Sequence, residues 1–320
     1  MRVRTAFTLI ELLVVIAIIA VLIGILIPAL GKSRQSARQL QDSTSVRSIV
    51  QALHVWSGNN DGAYPLPSRL DRSDTTMAAA HPREKDNAGN IISVLIFNNL
   101  LKVEQAVSAA ETNPRIARAE DYQYGSSDRA ASPSDALWDP GFAGNTEEID
   151  ASATGIGTGR RGTNANLSFG LIPPFGQRAD EWRLDTDGDS VLVANRGPRY
   201  NGTPGAWVLF DDPASNRSNT LRIHGASKQW NGNLGVCDGS VAFANKPDPD
   251  QFEFVDSTTA PPRTYKDNIF KNERESSESG AGIEANAYIG TNSYVNPFYN
   301  VTAETVVGSD PRIRITPFYD

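Results

Sequence analysis

Three aspartates alternate around a glycine in the stretch RLDTDGDSV, a pattern that suits a calcium ion. Asp185, Asp187 and Asp189 would supply carboxylate oxygens, and Gly188 allows the sharp bend that such a loop needs. The bidentate acid that closes an EF-hand is missing. A solvated acidic turn is therefore the favoured interpretation and a weak calcium site the alternative, and no other cofactor is expected.

A histidine and an aspartate are fourteen positions apart in a strand-like region. We expect His224 and Asp238 to hydrogen-bond across adjoining strand ends, a structural role that would fix the tautomer of the histidine. Asp238 and Gly239 lie between two apolar stretches and predict a tight hairpin turn, because such a turn needs positive φ angles. The alternative, a catalytic or metal-binding histidine, would need further ligands.

Catalytic chemistry has little support elsewhere in the chain. His54 and His81 have no cysteine or histidine at zinc-like spacing. There is no serine elbow motif, and the single cysteine, Cys237, lies in a strand-like run where a small buried side chain is expected. The sequence therefore predicts a protein that is not an enzyme.

Glu11 is the only charged residue in an apolar run from Phe7 to Leu30. As a helix this run rises about 36 Å, enough to span a bilayer core of about 30 Å. A lone carboxylate in hydrocarbon costs about 2.5–3.5 kcal/mol even on lenient scales. Either a positive partner compensates Glu11, or its side chain reaches the headgroups from the helix end.

The residues around Glu11 closely resemble the processing site of type IV prepilins and of the pseudopilins of type II secretion systems. A short basic leader, MRVRTA, precedes Phe7, and Glu11 follows four residues later. The resemblance implies that a prepilin peptidase cuts between Ala6 and Phe7 and methylates the new amino group of Phe7. Alanine stands at position 6, where the family usually has glycine. Pro28 falls where many pilins carry a helix-distorting proline.

The resemblance also implies how the charge of Glu11 is compensated. In a filament, the amino group of Phe7 in one subunit would meet Glu11 of a neighbour, so that assembly pairs both charges. A secretory signal peptide is disfavoured, because the apolar run is long and continues into the amphipathic stretch IPALGKSRQSARQL without a small-residue cleavage site after it.

Three parts of the chain are expected to position these residues. They are a leader at residues 1–6, one helix at 7–58 and a globular head at 59–320, and the helix divides into a transmembrane and assembly part at 7–30 and an amphipathic part at 31–58. Apolar residues of the amphipathic part should pack on the head. Its polar residues should face water or other subunits: Gln35, Gln39, Gln41 and Asp42.

The head is predicted to be α+β. NIISVLIFNNLL predicts a second helix under the head, and residues 122–161 predict loops. Four or five strands of one antiparallel sheet are predicted from short apolar runs: NANLSFGLIPPF, SVLVANRG, AWVLFDD, NTLRIHG and GNLGVCDGSVAFAN. The final RIRITPFY predicts an edge strand. A long helix packed on such a sheet is the pilin architecture.

Four segments of the head are similar to the bodies of prepilin-like proteins of planctomycete bacteria: NLSFGLIPPFGQRADEW, SVLVANRGPRY, SNTLRIHGASKQWNGNLGVCDGSVAF and DNIFKNE. This second resemblance supports the fold and the lineage rather than an activity.

The expected function is that of a structural filament subunit, in a type IV pilus or a secretion pseudopilus. Its partners would be the prepilin peptidase, copies of itself or related pilins, the inner-membrane assembly machinery and the lipid bilayer. It would sit in the inner membrane with its head outside the cytoplasm, and later in a cell-surface or periplasmic filament. The alternatives are a membrane-anchored binding or adhesion module that uses the same export route, and an enzyme carried on such an anchor.

A nucleic-acid partner is not expected. The chain has 30 Lys and Arg residues against 37 Asp and Glu residues, a net charge of -7, and no lysine-rich block. Proteins that bind nucleic acids concentrate basic charge against phosphate.

Overall fold

The protein is α+β, as predicted: a long N-terminal helix carries a head built from antiparallel sheets and short helices. The computed structural model describes residues 9–146, 164–179, 182–184, 190–210, 218–225, 229–256, 260–271, 283–284, 295, 297–304 and 312–319.

The helices are α1 (Leu9–Gly58), α2 (Pro67–Leu70), α3 (Ala88–Phe97) and α4 (Thr220–Ile223). The strands of the larger sheet are β1 (Phe169–Leu171), β2 (Val191–Asn195), β5 (Gly232–Val236) and β6 (Val241–Ala244). The other strands are β3 (Tyr200–Asn201), β4 (Val208–Leu209), β7 (Glu253–Asp256), β8 (Arg263–Lys266), β9 (Ile283–Glu284), β10 (Phe298–Glu304) and β11 (Arg312–Pro317).

α1 is one continuous helix that contains Pro28 in its interior. All of its residues from Leu9 to Arg38 are exposed, whereas from Asp42 onward one face is buried in the head. The helix ends at Gly58, the predicted break, where the N–H of Asn59 donates to the carbonyl of Trp56 in a turn. The two parts of α1 therefore have different surroundings within a single helix.

The buried part of α1 lies across a four-stranded antiparallel sheet with the order β1-β2-β5-β6. Gly235 in β5 lies directly under the helix. A Cβ at this position would be 2.6 Å from Val50 Cγ2 and 2.9 Å from Val46 Cγ1, so only glycine permits this close approach. The main core joins α1, α3 and the sheet through buried side chains that include Ile49, Leu53, Ile92, Leu95, Phe169, Leu192 and Val193.

The second predicted helix is confirmed as α3, and it is buried from Ala88 to Ile96. Its N-terminus is capped by Asn87, whose side chain accepts a 2.8 Å hydrogen bond from the N–H of Asn90. The irregular residues 122–146 cover it, and the Tyr122 hydroxyl donates to the Ser93 carbonyl at 2.8 Å. The predicted loop region therefore packs on the head up to residue 146, and its part from 147 to 161 lies outside the described residues.

Three strand predictions differ from the structure. NTLRIHG contains α4 instead, because backbone turns from Leu221 N–H to the Ser218 carbonyl and from Arg222 N–H to the Asn219 carbonyl start a helix there. RIRITPFY contains β11, which lies between β10 and β9 among the described strands and is not an edge strand. In AWVLFDD, the described residues 206–210 contain β4, which pairs with β3 in a separate hairpin and not with the larger sheet.

Candidate assembly helix and its anchorage in the head

The N-terminal part of α1 exposes a large apolar surface. Its Leu, Ile and Val side chains from Leu9 to Leu30 are all exposed, from 46% at Val15 to 81% at Leu9. Soluble monomers rarely expose continuous apolar patches of this size. Among the described residues, α1 is the helix that is long and apolar enough to cross a membrane. This part of the helix therefore needs lipid or protein around it.

Glu11 lies in the first turn of the described helix, at an exposed position. Pro28 lies near the other end of the apolar run, inside the unbroken helix. The predicted cleavage residues, Ala6 and Phe7, lie outside the described residues, so the processing site stays a prediction from the sequence.

A buried polar cluster marks the point where α1 enters the head. Asp42 is fully buried, and its Oδ2 lies 2.8 Å from His224 Nε2. Asn195 and Asn233 also donate to this oxygen through their side-chain Nδ2 atoms. These four residues form the Asp42 cluster, in which donors from β2, β5 and the residue after α4 all reach one oxygen of a buried carboxylate.

The prediction that Asp42 faces water or another subunit is wrong. Val46 and Ile49 follow it by four and seven residues, and a helix brings residues at these spacings to one face. That face lies on the sheet. Gln35 also contacts the head, because its Nε2 donates to the His224 carbonyl at 3.3 Å.

The predicted hydrogen bond between His224 and Asp238 is wrong as well. His224 follows α4 and binds Asp42, whereas Asp238 is in the β5–β6 turn at the far end of β5, beside His54. The Oδ1 atom of Asp238 accepts a 2.7 Å hydrogen bond from the N–H of Ser240, and bonds from Ser240 lower the pKa of this carboxyl. The predicted turn itself is present: Gly239 has a φ of 87°, and its N–H donates to the Val236 carbonyl.

His54 connects α1 to this turn. Its ring stacks on Tyr64 with 6.0 Å between the ring centroids. Burial lowers the pKa of His54, and the backbone of Cys237 and the charge of Asp238 oppose that shift only in part. The imidazole is therefore best accommodated in its neutral form.

Sequence reasoning missed two members of the Asp42 cluster, Asn195 and Asn233. One signal for this cluster is present in the sequence: Asp42 lies on the apolar face of α1, and a carboxylate that is buried there needs hydrogen-bond donors. The sequence could not predict which residues supply the donors, because Asn195 and His224 are 153 and 182 positions away from Asp42 along the chain.

The described residues contain no group of three His, Cys, Asp or Glu side chains placed to hold a metal ion. Asp185, Asp187 and Asp189 lie outside the described residues. The calcium site therefore stays a prediction from the sequence.

Comparison with known proteins identifies the start of the chain. Residues 1–27 match the family model described as the prokaryotic N-terminal methylation motif. Searches among the curated proteins and the solved structures found no match, and similarity of the head to planctomycete proteins is not shown. The matched segment includes Glu11 and most of the exposed apolar part of α1. The chain thus begins with a prepilin-type cleavage and methylation segment, which indicates a precursor of the type IV pilin or pseudopilin kind.

Proposed function

We propose that the protein is a structural subunit of a filament, either a type IV pilus or a type II secretion pseudopilus. The observation that carries the proposal is an exposed apolar helix, interrupted by one acidic residue, that continues without a break into a folded head. A simple anchor would need the apolar residues but not Glu11. The prepilin-type segment at residues 1–27 supports the same role.

Processing would prepare the helix for assembly. Cleavage between Ala6 and Phe7 by a prepilin peptidase would create an N-methylated amino group on Phe7. In a helix this group lies about 6 Å from the level of Glu11 along the axis, since each residue rises about 1.5 Å. The positive amine and the negative carboxylate would then occupy similar depths in the bilayer.

Assembly would exchange lipid for neighbouring helices around α1. Each Glu11 carboxylate would pair with the Phe7 amine of another copy or of a related pilin, which removes the cost of holding separate charges in hydrocarbon. Before this step, the subunit would be held in the inner membrane with its head outside the cytoplasm. In this role the head is a structural component of the filament and performs no catalysis.

The first test concerns processing. Intact mass and N-terminal sequencing of the protein from its own cells should show a mature chain that begins with N-methylated Phe7. A mature chain that still begins at Met1, or that was cut after Ala17 or Ala20, would contradict the proposal.

The second test concerns Glu11. Glu11→Val should leave membrane insertion intact or improved, because it removes a charge from the apolar run. Polymer should still be lost when the variant is expressed with its own assembly machinery. Glu11→Gln tests the charge at nearly constant size, and Glu120→Val, which removes an exposed carboxylate from the head, is the control. The processed fraction and the yield of sedimenting polymer are measured together.

The outcomes separate the alternatives. Normal polymer from processed Glu11→Val would contradict charge pairing, and uncut Glu11→Val would assign Glu11 to peptidase recognition instead. If the wild type forms no polymer with its machinery present, the filament role is wrong. The membrane-anchored binding module then becomes the better explanation.

A further inference from the structure

The end of the head from which α1 emerges carries a group of exposed basic residues. Lys32, Arg34 and Arg38 follow the apolar run on α1, and all three are exposed. The hydrogen bond from Gln35 to the His224 carbonyl brings the end of α4 to the same level of the helix. Arg222 of α4 is also exposed. Lys32, Arg34, Arg38 and Arg222 form the basic collar.

The part of the collar on α1 lies at or near the depth of lipid phosphates if the apolar run fills the bilayer core. Lys32 and Arg34 are about 3 and 6 Å beyond Leu30 along the helix axis, and Arg38 is about 12 Å beyond it. The headgroup region of a bilayer extends about 5–7 Å beyond each side of the core. Lys32 and Arg34 therefore reach the headgroups, and Arg38 is within about one Debye length of them.

The charges of the collar have no protein partner in the described part of the chain. None of the four residues forms an ion pair there, whereas other basic residues, such as Lys85 and Arg129, do. The chain beyond the start of the head is acidic. Residues 1–41 contain five basic residues and one acidic residue, a net charge of +4. Because the whole chain has a net charge of -7, residues 42–320 carry a net charge of -11. The collar is thus a basic surface at the membrane end of an acidic head.

We propose that the basic collar binds the anionic phosphate headgroups of the leaflet on the head side, and so holds the unassembled subunit at a fixed depth and orientation. Each basic residue at an anionic membrane surface contributes roughly a fivefold gain in binding. The acidic remainder of the head is repelled by the same leaflet, which favours the orientation with the collar toward the membrane. The inference rests on the membrane anchorage of the proposed function but does not require filament formation.

The test uses the full chain in nanodiscs that contain phosphatidylcholine with or without phosphatidylglycerol. The enrichment of phosphatidylglycerol around the protein is measured by mass spectrometry of retained lipids, and hydrogen exchange is followed at residues 219–225. Wild type should enrich the anionic lipid and should show slower exchange at residues 219–225 in its presence, and high salt should weaken both effects.

Substitution then assigns the effect to the collar. The variant with Lys32→Gln, Arg34→Gln and Arg38→Gln should lose most of the enrichment, and Arg222→Gln alone should lose roughly fivefold in affinity. A control with Arg47→Gln, Arg72→Gln and Arg263→Gln removes three exposed charges elsewhere and should behave as wild type.

Three results would overturn the inference. They are a wild type without lipid preference, an equal loss in the control variant, or a collar variant that keeps its lipid shell but fails to polymerise. The last result would assign the collar to contacts with neighbouring subunits. Because the nanodisc contains an unassembled subunit, failure of the Glu11 test would not by itself change these measurements.

Discussion

The two parts of α1 belong to one helix, but their side chains suit different surroundings. Leu9–Leu30 is apolar on all sides and exposed on all sides, whereas Asp42–Gly58 is apolar on one face and buries that face on the sheet. A helix that is apolar all round requires lipid or other helices, and an amphipathic helix is completed by its own domain. The head therefore completes its own core within the chain, whereas the N-terminal part of α1 needs lipid or other helices around it.

The largest expected effect is at the boundary between the two parts. Asp42→Ala leaves the donors of His224, Asn195 and Asn233 without their acceptor. Because each buried donor left unsatisfied costs about 1–3 kcal/mol, the free energy of unfolding of the head should fall by about 3–5 kcal/mol. Chemical denaturation of the full chain in detergent measures this loss. Glu120→Ala, which removes an exposed carboxylate from the head, should change stability by about 0.5 kcal/mol or less. Equal losses would mean that the cluster does not secure the head to α1.

A matched pair of isoleucines tests the comparison directly. Ile49 is fully buried and Ile16 is 56% exposed. Ile49→Ala should lower the free energy of unfolding by about 2–5 kcal/mol because it leaves a cavity in the core. Ile16→Ala should leave the unfolding of the head unchanged, as measured by the same denaturation. A large loss from Ile16→Ala would show that the two parts are energetically coupled.

The smallest effect is a pH dependence of the buried part. Since burial lowers the pKa of His54 from its ordinary 6.5, the unfolded chain binds more protons than the folded chain below about that pH. The contribution of His54 is fully present above about pH 6.5 and is lost as the pH falls toward its lowered pKa. The stability of wild type should therefore decrease over this range more than that of His54→Gln. Parallel pH profiles of the two proteins would contradict the assignment.

The long helix and its end were predictable because they depend on local signals. The apolar run and the Gly58 break define α1, the apolar spacing near Ile92 defines α3, and Asp238 with Gly239 defines a hairpin turn. The Asp42 cluster was not predictable, because its members come from distant segments that only the tertiary fold brings together. α4 was mistaken for a strand because its apolar residues, Leu221 and Ile223, alternate as they would in a strand.

The unbroken passage of α1 into the head has a mechanical consequence. A pull on the exposed end acts along the helix axis, so the contacts of Val46 and Val50 on Gly235 and the Asp42 cluster are sheared together. Peeling them apart one after another would require a force across the helix. The single cysteine excludes an internal disulfide that could share the load. The resistance of the protein to such a pull therefore depends on the packed face between α1 and β5.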